Sequence, residues 1–170
     1  YWKDFIGIKI LSVGNLRKNK NYPNLLKALK ILQAKYNQDF ISLIAGDGPE
    51  KDNLKSFIQE HDLQDNVILL GGVQDTKSLY RNADLFVLSS DYEGFGMVLV
   101  EALGYGKTIV ATDCESGPRE ILGNSQYGYL SPTDNPARLA ESIHKAYLNQ
   151  LSPDLLLERY KDFDVSLAGS

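Results

Sequence analysis

Hydrophobic residues in this chain form short continuous runs that alternate with longer stretches of helical spacing. The runs are four to six residues long, and in the run 40–45 only Ser42 is polar. Over 22–36, in contrast, leucines recur at the intervals of three and four residues that place side chains on one face of a helix. The pattern predicts strands at 9–14, 40–45, 67–70, 85–88, 108–111 and near 128–130. It predicts helices at 22–36, around 54–58, and at 77–82, 97–103, 137–148 and 155–160.

The predicted strands lack alternating polar positions, which is typical of strands that are buried on both faces. Strand–helix alternation of this kind predicts an α/β fold: a Rossmann-like, doubly wound parallel sheet of about six strands, with helices on both faces. Such sheets bind ligands at the carboxyl ends of their strands. We therefore look for function in the turns that follow Val13, Ala45, Leu70, Leu88 and Ala111.

Length and charge narrow the classes of function. The 170 residues match one domain, and a formal net charge of −4 argues against a general nucleic-acid binder, which is normally basic. No apolar stretch approaches the roughly 20 residues that span a bilayer. The single cysteine, Cys114, excludes an internal disulfide and fits a reducing compartment, so we expect a cytoplasmic protein.

One segment reverses the sign of the overall charge. From Asn15 to Gln38 there are six Lys and Arg residues and no Asp or Glu. Arg17, Lys18 and Lys20 fall in the loop after the first predicted strand, at the ligand end of the sheet. The segment is either an anion site for phosphate or pyrophosphate, or a solvated basic loop.

The turn after the fourth predicted strand, 89–96, carries the most chemistry. Its glycines allow close approach of a ligand to the backbone, and the helix that follows begins with free amides at Gly96, Met97 and Val98. Glu93 and Glu101 flank that helix start. Two carboxylates beside an anion site suit a ligand with hydroxyls on both sides of its phosphates, as in a nucleotide sugar. The alternative is that Glu93 complements the helix dipole and Glu101 is a surface residue.

Together these residues carry a resemblance to a known family. Glu93-Gly94-Phe95-Gly96 followed by Glu101 resembles the E-x7-E motif of retaining glycosyltransferases of the GT-B fold, family 4, also called glycosyl transferases group 1. The order of the other segments is similar to that family too: Gly14-x-Leu16 with Lys20, then 45–49, 67–71 with Val73, 80–90 and 116–121.

The resemblance implies a role for each matching residue. Lys20 neutralises the pyrophosphate of the donor together with the amides of the helix start, and Glu93 holds hydroxyls of the transferred sugar; both are assigned to catalysis. Glu101 lies near the ribose, and the backbone at Val73 contacts the base. The full donor-binding set is Gly14, Asn15, Arg17, Val73, Gly94, Phe95, Gly96, Met97, Val98 and Glu101.

One departure affects the charge of the implied site. The family usually has arginine directly after the glycine of its first motif, where this chain has Asn15. Arg17, two residues further on, is the candidate replacement. The resemblance implies no metal and no other cofactor.

The implied function is that of a donor-binding domain. Residues 1–170 would be the C-terminal half of an enzyme that transfers a sugar, UDP-linked, to a glycan or lipid-linked acceptor in polysaccharide or glycoconjugate assembly. An N-terminal domain of the same protein would hold the acceptor, and the full-length protein would lie in the cytoplasm or at the inner face of the cytoplasmic membrane. The alternatives are half of a nucleotide-sugar epimerase, a nucleotide-binding module without catalysis, and a structural or regulatory α/β domain.

Overall fold

The computed structural model describes Trp2 and residues 4–168, with side chains through Phe163. The strands are β1 Ile8–Val13, β2 Phe40–Ala45, β3 Val67–Gly71, β4 Leu85–Leu88, β5 Thr108–Thr112 and β6 Tyr129–Ser131. The helices are α1 Tyr22–Tyr36, α2 Lys51–Glu60, α3 Lys77–Asn82, α4 Met97–Gly104, α5 Pro118–Leu122, α6 Pro136–Leu148 and α7 Pro153–Ala168. A short 3-10 turn, Lys18–Lys20, precedes α1.

The strands form one parallel sheet in the order β3-β2-β1-β4-β5-β6. The prediction of a Rossmann-like doubly wound sheet is therefore confirmed. The chain winds outward from β1 to β3 and then returns to the centre to place β4 beside β1. The loops that follow β1 and β4 meet at this reversal of strand order, at the carboxyl ends of the two strands, where doubly wound sheets bind ligands; we call this region the crevice.

Each strand contributes side chains to two cores, one on each face of the sheet. In β4, Leu85 and Val87 pack in the core under α1, α2 and α6, whereas Phe86 and Leu88 pack in the core under α3, α4, α5 and α7. All four residues of β4 are buried. Burying a side chain of this size contributes about 1.5–3 kcal/mol, so both faces of the central strands hold the sheet together.

The helix ends follow local chemistry. α1 begins where the Asn21 side chain accepts a hydrogen bond from the backbone amide of Asn24, with Pro23 in the first turn. The sequence pattern did not predict α5, because five residues are too few to show helical spacing. None of the helices in the described part of the chain is both long and apolar enough to cross a membrane.

Candidate functional site

The crevice between β1 and β4 is built from two loops that hydrogen bonds tie together. The backbone amide of Asp91 donates to the Asn19 carbonyl at 2.9 Å, and the Ser89 hydroxyl donates to the Lys20 carbonyl at 3.0 Å. The Asn21 side-chain amide donates to the Asp91 carboxylate at 2.9 Å. These bonds hold the 3-10 turn against the loop after β4, so the side chains on both loops have fixed neighbours.

Lys20 and Glu93, the two residues assigned to catalysis, form an ion pair across this crevice. The ammonium nitrogen lies 2.7 Å from one carboxylate oxygen of Glu93 and 3.0 Å from the other. The Lys20 side chain is 14 % exposed and that of Glu93 is 5 % exposed. The Ser90 hydroxyl donates, at 2.5 Å, to the Glu93 oxygen that lies 2.7 Å from the Lys20 ammonium. The pair is thus partly desolvated and well satisfied, which is the condition under which two charges persist away from water.

Both members of the pair retain capacity for a further contact. An ammonium has three N–H donors, and at most two of those on Lys20 point to Glu93. An ionised carboxylate has about four acceptor positions, and Lys20 and Ser90 use three of those on Glu93. A ligand can therefore receive one N–H from Lys20 and donate one hydroxyl to Glu93 while the pair stays intact.

The N-terminus of α4 adds a second anion-binding element beside Glu93. Gly96 caps the helix with φ +88°, a conformation that favours glycine, and Leu99 already donates to the Gly96 carbonyl at 2.9 Å. The amides of Gly96, Met97 and Val98 have no acceptor among the residues that the structure describes. These amides and the positive end of the helix dipole favour an anion here.

Gly94 leaves space in front of this helix start. It has no positive φ, and a Cβ atom there would meet none of the described residues within 4 Å. The packing of the described residues therefore does not require glycine at this position, whereas close approach of a ligand to the backbone would. Phe95 is 45 % exposed and its ring edge packs on Phe163, with centroids 6.0 Å apart.

The loop after β5 supports the loop after β4 from behind. The Thr112 hydroxyl donates to the Ser90 carbonyl at 2.5 Å. Gly117 has φ +99°, and a Cβ on it would lie 2.2 Å from the Phe95 carbonyl oxygen. Gly117 falls in segment 116–121, which resembles the family, but no sequence pattern indicates this packing role or identifies Ser90 and Thr112 as partners in the site.

The first loop places its predicted residues in different surroundings. Gly14 lies beside Lys20: a Cβ at Gly14 would be 3.4 Å from Lys20 Cε and 3.3 Å from the Tyr22 hydroxyl, which donates to the Gly14 carbonyl. Burial, and secondly the charge of Glu93, raises the pKa of Tyr22, so this hydroxyl stays protonated. Asn15 is exposed. Arg17 is exposed and lines a depression of about 210 Å³ that includes Glu50 but neither Lys20 nor Glu93.

Glu101 lies one helical turn beyond Met97, on the rim of a larger depression of about 570 Å³. The Tyr80 hydroxyl donates to one Glu101 carboxylate oxygen at 3.0 Å. Met97 is 43 % exposed and lines the same depression, so α4 joins this depression to the crevice. Val98 is half-buried against the core, and Val73, in the loop after β3, packs on that core too.

Among the described residues, no group of three or more His, Cys, Asp or Glu side chains is arranged to hold a metal ion. The charged groups around the crevice and the larger depression include the Lys20–Glu93 pair, Asp91, Glu101, Asp75 and Lys77. Tyr80 entered the sequence comparison only as part of the segment 80–90, and its contact with Glu101 was not predicted. A buried tyrosine normally finds a hydrogen-bond partner for its hydroxyl, and this rule could have identified Tyr80 as a residue with a polar partner near the site.

Solved glycosyltransferases share this fold. The pneumococcal O-GlcNAc transferase GtfA, solved with UDP and GlcNAc, superposes with a TM-score of 0.81 at 23 % identity; the match covers 92 % of this chain and 32 % of that one. The fold is therefore that of the Rossmann-like domains of GT-B glycosyltransferases. The chain belongs to the family Glycosyl transferases group 1, whose family model matches residues 7–163.

Two curated relatives give the family context. The N-acetylgalactosamine-N,N'-diacetylbacillosaminyl-diphospho-undecaprenol 4-alpha-N-acetylgalactosaminyltransferase of Campylobacter jejuni is 35 % identical over 153 residues, which cover 90 % of this chain and 40 % of the relative. The amylovoran biosynthesis glycosyltransferase AmsD of Erwinia amylovora is 30 % identical over 168 residues, which cover 91 % of this chain and 47 % of the relative. The chain thus spans less than half the length of these relatives.

Proposed function

We propose that this chain is the donor-binding domain of a retaining family 4 glycosyltransferase that uses a sugar linked to a nucleoside diphosphate, with UDP as the nucleotide. The observation that carries the proposal is the Lys20–Glu93 pair beside the open amides of α4. These groups suit a diphosphate on one side and a sugar hydroxyl on the other. Membership of the glycosyl transferases group 1 supports the proposal.

In the proposed reaction, the diphosphate lies between the free N–H of Lys20 and the amides of Gly96, Met97 and Val98. Negative charge grows on the departing phosphate oxygen as the bond from the sugar C1 to that oxygen breaks. Fixed donors aimed at such charge lower the barrier, because they need no reorganisation when the charge develops. Glu93 accepts a hydroxyl of the transferred sugar and so orients it.

Configuration at C1 is retained when the acceptor attacks from the face that the diphosphate leaves. The new bond joins C1 to the acceptor oxygen, and the acceptor proton passes to the departing phosphate oxygen. This front-face path needs no nucleophile from the protein, so the catalytic part of Glu93, whose carboxylate is already held by Lys20 and Ser90, is to hold and orient the sugar.

At the nucleoside end, we assign Glu101 to the ribose hydroxyls and the backbone at Val73 to the base. Lys20 is the cation that we assign to the diphosphate. Arg17 lies with Glu50 around a separate depression, so its part in donor binding stays a prediction that Arg17→Ala tests.

The whole enzyme is proposed to act on a glycan or lipid-linked acceptor. Two relatives support this class of acceptor, since one is named for an undecaprenol-linked substrate and the other for amylovoran biosynthesis. An N-terminal domain of the same protein would provide the acceptor contacts, at the inner face of the cytoplasmic membrane. The isolated chain should bind the donor without turning it over. Family membership does not favour an epimerase.

Calorimetric titration of the 170-residue chain with UDP and with GDP tests the proposal. We expect UDP to bind, and we expect Lys20→Ala and Glu101→Ala to weaken it. If neither nucleotide binds at millimolar concentration, the chain is not a donor-binding domain.

A further inference from the structure

Tyr80 is a buried side chain whose only polar atom faces the nucleoside end of the site. It is 1 % exposed, and its ring lies between those of Phe86 and Tyr105. The centroid of its ring is 5.7 Å from that of Phe86 and 5.0 Å from that of Tyr105, and the planes of Tyr80 and Tyr105 differ by 7°. Stacking on both sides fixes the position of the Tyr80 hydroxyl.

Glu101, in contrast, is exposed and would be free to rotate without this partner. The Tyr80 hydroxyl holds one of its oxygens at 3.0 Å and so links α3 to α4. Ordering a glutamate side chain on ligand binding costs rotamer entropy. Tyr80 offsets this cost before any ligand arrives, and it leaves the second carboxylate oxygen of Glu101 to accept hydrogen bonds in the depression.

We propose that Tyr80 is a positioning residue that presents Glu101 to the vicinal hydroxyl groups of a ribose. The proposal rests on the proposed function and identifies what makes Glu101 selective. Tyr80 itself does not touch the ligand. It determines which oxygen of Glu101 is free and the direction in which that oxygen points.

The chemistry of the pair fits this role. A phenol that donates to a carboxylate forms a charge-assisted hydrogen bond, which is stronger than one between neutral groups. Burial, and secondly the charge of Glu101, raises the pKa of Tyr80, so the phenol stays protonated and remains a donor beyond the ordinary pKa of tyrosine.

The test compares UDP with 2',3'-dideoxy-UDP in calorimetric titrations of the 170-residue chain, with GDP and its dideoxy analogue used if GDP is the nucleotide bound. Tyr80→Phe keeps the ring and removes only the hydroxyl. We expect it to weaken UDP binding by about three- to tenfold, the range of one hydrogen bond, and to leave the affinity for the dideoxy analogue unchanged. Glu101→Ala should also weaken the binding of UDP more than that of the dideoxy analogue. In the Glu101→Ala background, Tyr80→Phe should have no further effect on either affinity.

Tyr129→Phe is the matched control. The Tyr129 hydroxyl also donates to an oxygen, the Asn149 carbonyl at 2.5 Å, but Tyr129 lies on the edge strand β6 and packs in the core on the other face of the sheet from Tyr80. For each variant, the ratio of UDP affinity to dideoxy-UDP affinity does not depend on the fraction of folded protein. A loss of folded protein alone therefore cannot change this ratio. If Tyr80→Phe does not fold, Tyr105→Leu loosens the same ring and should also lower the ratio.

The outcomes are distinguishable. A chain that binds neither UDP nor GDP overturns the proposed function itself. If UDP binds and Glu101→Ala weakens it, but the ratio is the same in Tyr80→Phe as in the native chain, the role of Tyr80 alone is overturned. If Glu101→Ala leaves the ratio unchanged, Glu101 does not contact the ribose, and Tyr80 has no ribose to serve.

Discussion

The ammonium of Lys20 lies 2.7 Å from the carboxylate of Glu93, although 73 positions separate the two residues in the chain. In this crevice each charge is the other's main partner, and both are largely withdrawn from solvent. Any substitution that removes one member therefore leaves the other without its counter-charge, and effects on binding have to be read beside effects on stability.

Replacing Lys20 should weaken the binding of the donor diphosphate. We expect Lys20→Ala to reduce UDP affinity by about tenfold or more, because a charge-assisted hydrogen bond contributes about 1.5–3 kcal/mol. Isothermal titration calorimetry measures the change. Lys27→Ala is the control, since Lys27 is exposed on α1 within the same basic segment. Equal losses for both variants would mean that general charge, not the crevice, attracts the nucleotide.

Replacing Glu93 should affect the sugar and not the nucleotide. Glu93→Ala frees Lys20 for phosphate, so we expect UDP to bind at least as tightly as in the native chain. Any gain in affinity of UDP-galactose or UDP-N-acetylglucosamine over UDP should disappear. Titrations with all three ligands measure this. If Glu93→Ala lowers the affinities for UDP and for the UDP-sugars equally, Glu93 does not hold a sugar hydroxyl.

Two glycines in neighbouring loops should respond to alanine in opposite ways. Gly117→Ala should destabilise the protein by about 2 kcal/mol or more, because Gly117 has φ +99° and a Cβ would collide with the Phe95 carbonyl. In Gly94→Ala the new Cβ contacts none of the described residues, so this variant should have the same unfolding temperature as the native protein. It should nevertheless bind UDP-sugars more weakly. Thermal unfolding and calorimetry on both variants check this contrast.

The pair formed by Arg119 and Asp113 predicts a pH effect. A hydrogen bond from Arg119 lowers the pKa of Asp113 below its ordinary value. A carboxyl whose pKa is lowered by folding adds stability above its ordinary pKa, and this stability is lost as the pH falls through the folded-state pKa. Arg119→Ala should return the pKa of Asp113 towards the ordinary value, as measured by NMR titration. An unchanged pKa would exclude Arg119 as the cause.

The sheet was predictable because strands buried on both faces, such as Leu85–Leu88, leave a continuous apolar run in the sequence. The loops that carry Lys20 and Glu93 were predictable as ligand loops because each follows a predicted strand. The adjacency of these strands, β1 and β4, and the direct pairing of Lys20 with Glu93 were not predictable, since no local pattern encodes a contact between residues so far apart. Tyr80 and Thr112 escaped notice for the same reason: a polar residue in a helix or at a strand end has no period.

The crevice also constrains the order of events during folding. Lys20 pairs with Glu93, Ser89 with Lys20 and Asn21 with Asp91, each across about 70 positions. These contacts form only after β4 has docked beside β1, and such long-range pairing is slow compared with local structure. A chain in which only β1, α1 and β2 have assembled has no binding crevice. A bound nucleotide would therefore stabilise only chains in which β4 has docked beside β1, and nucleotide binding would report this docking step.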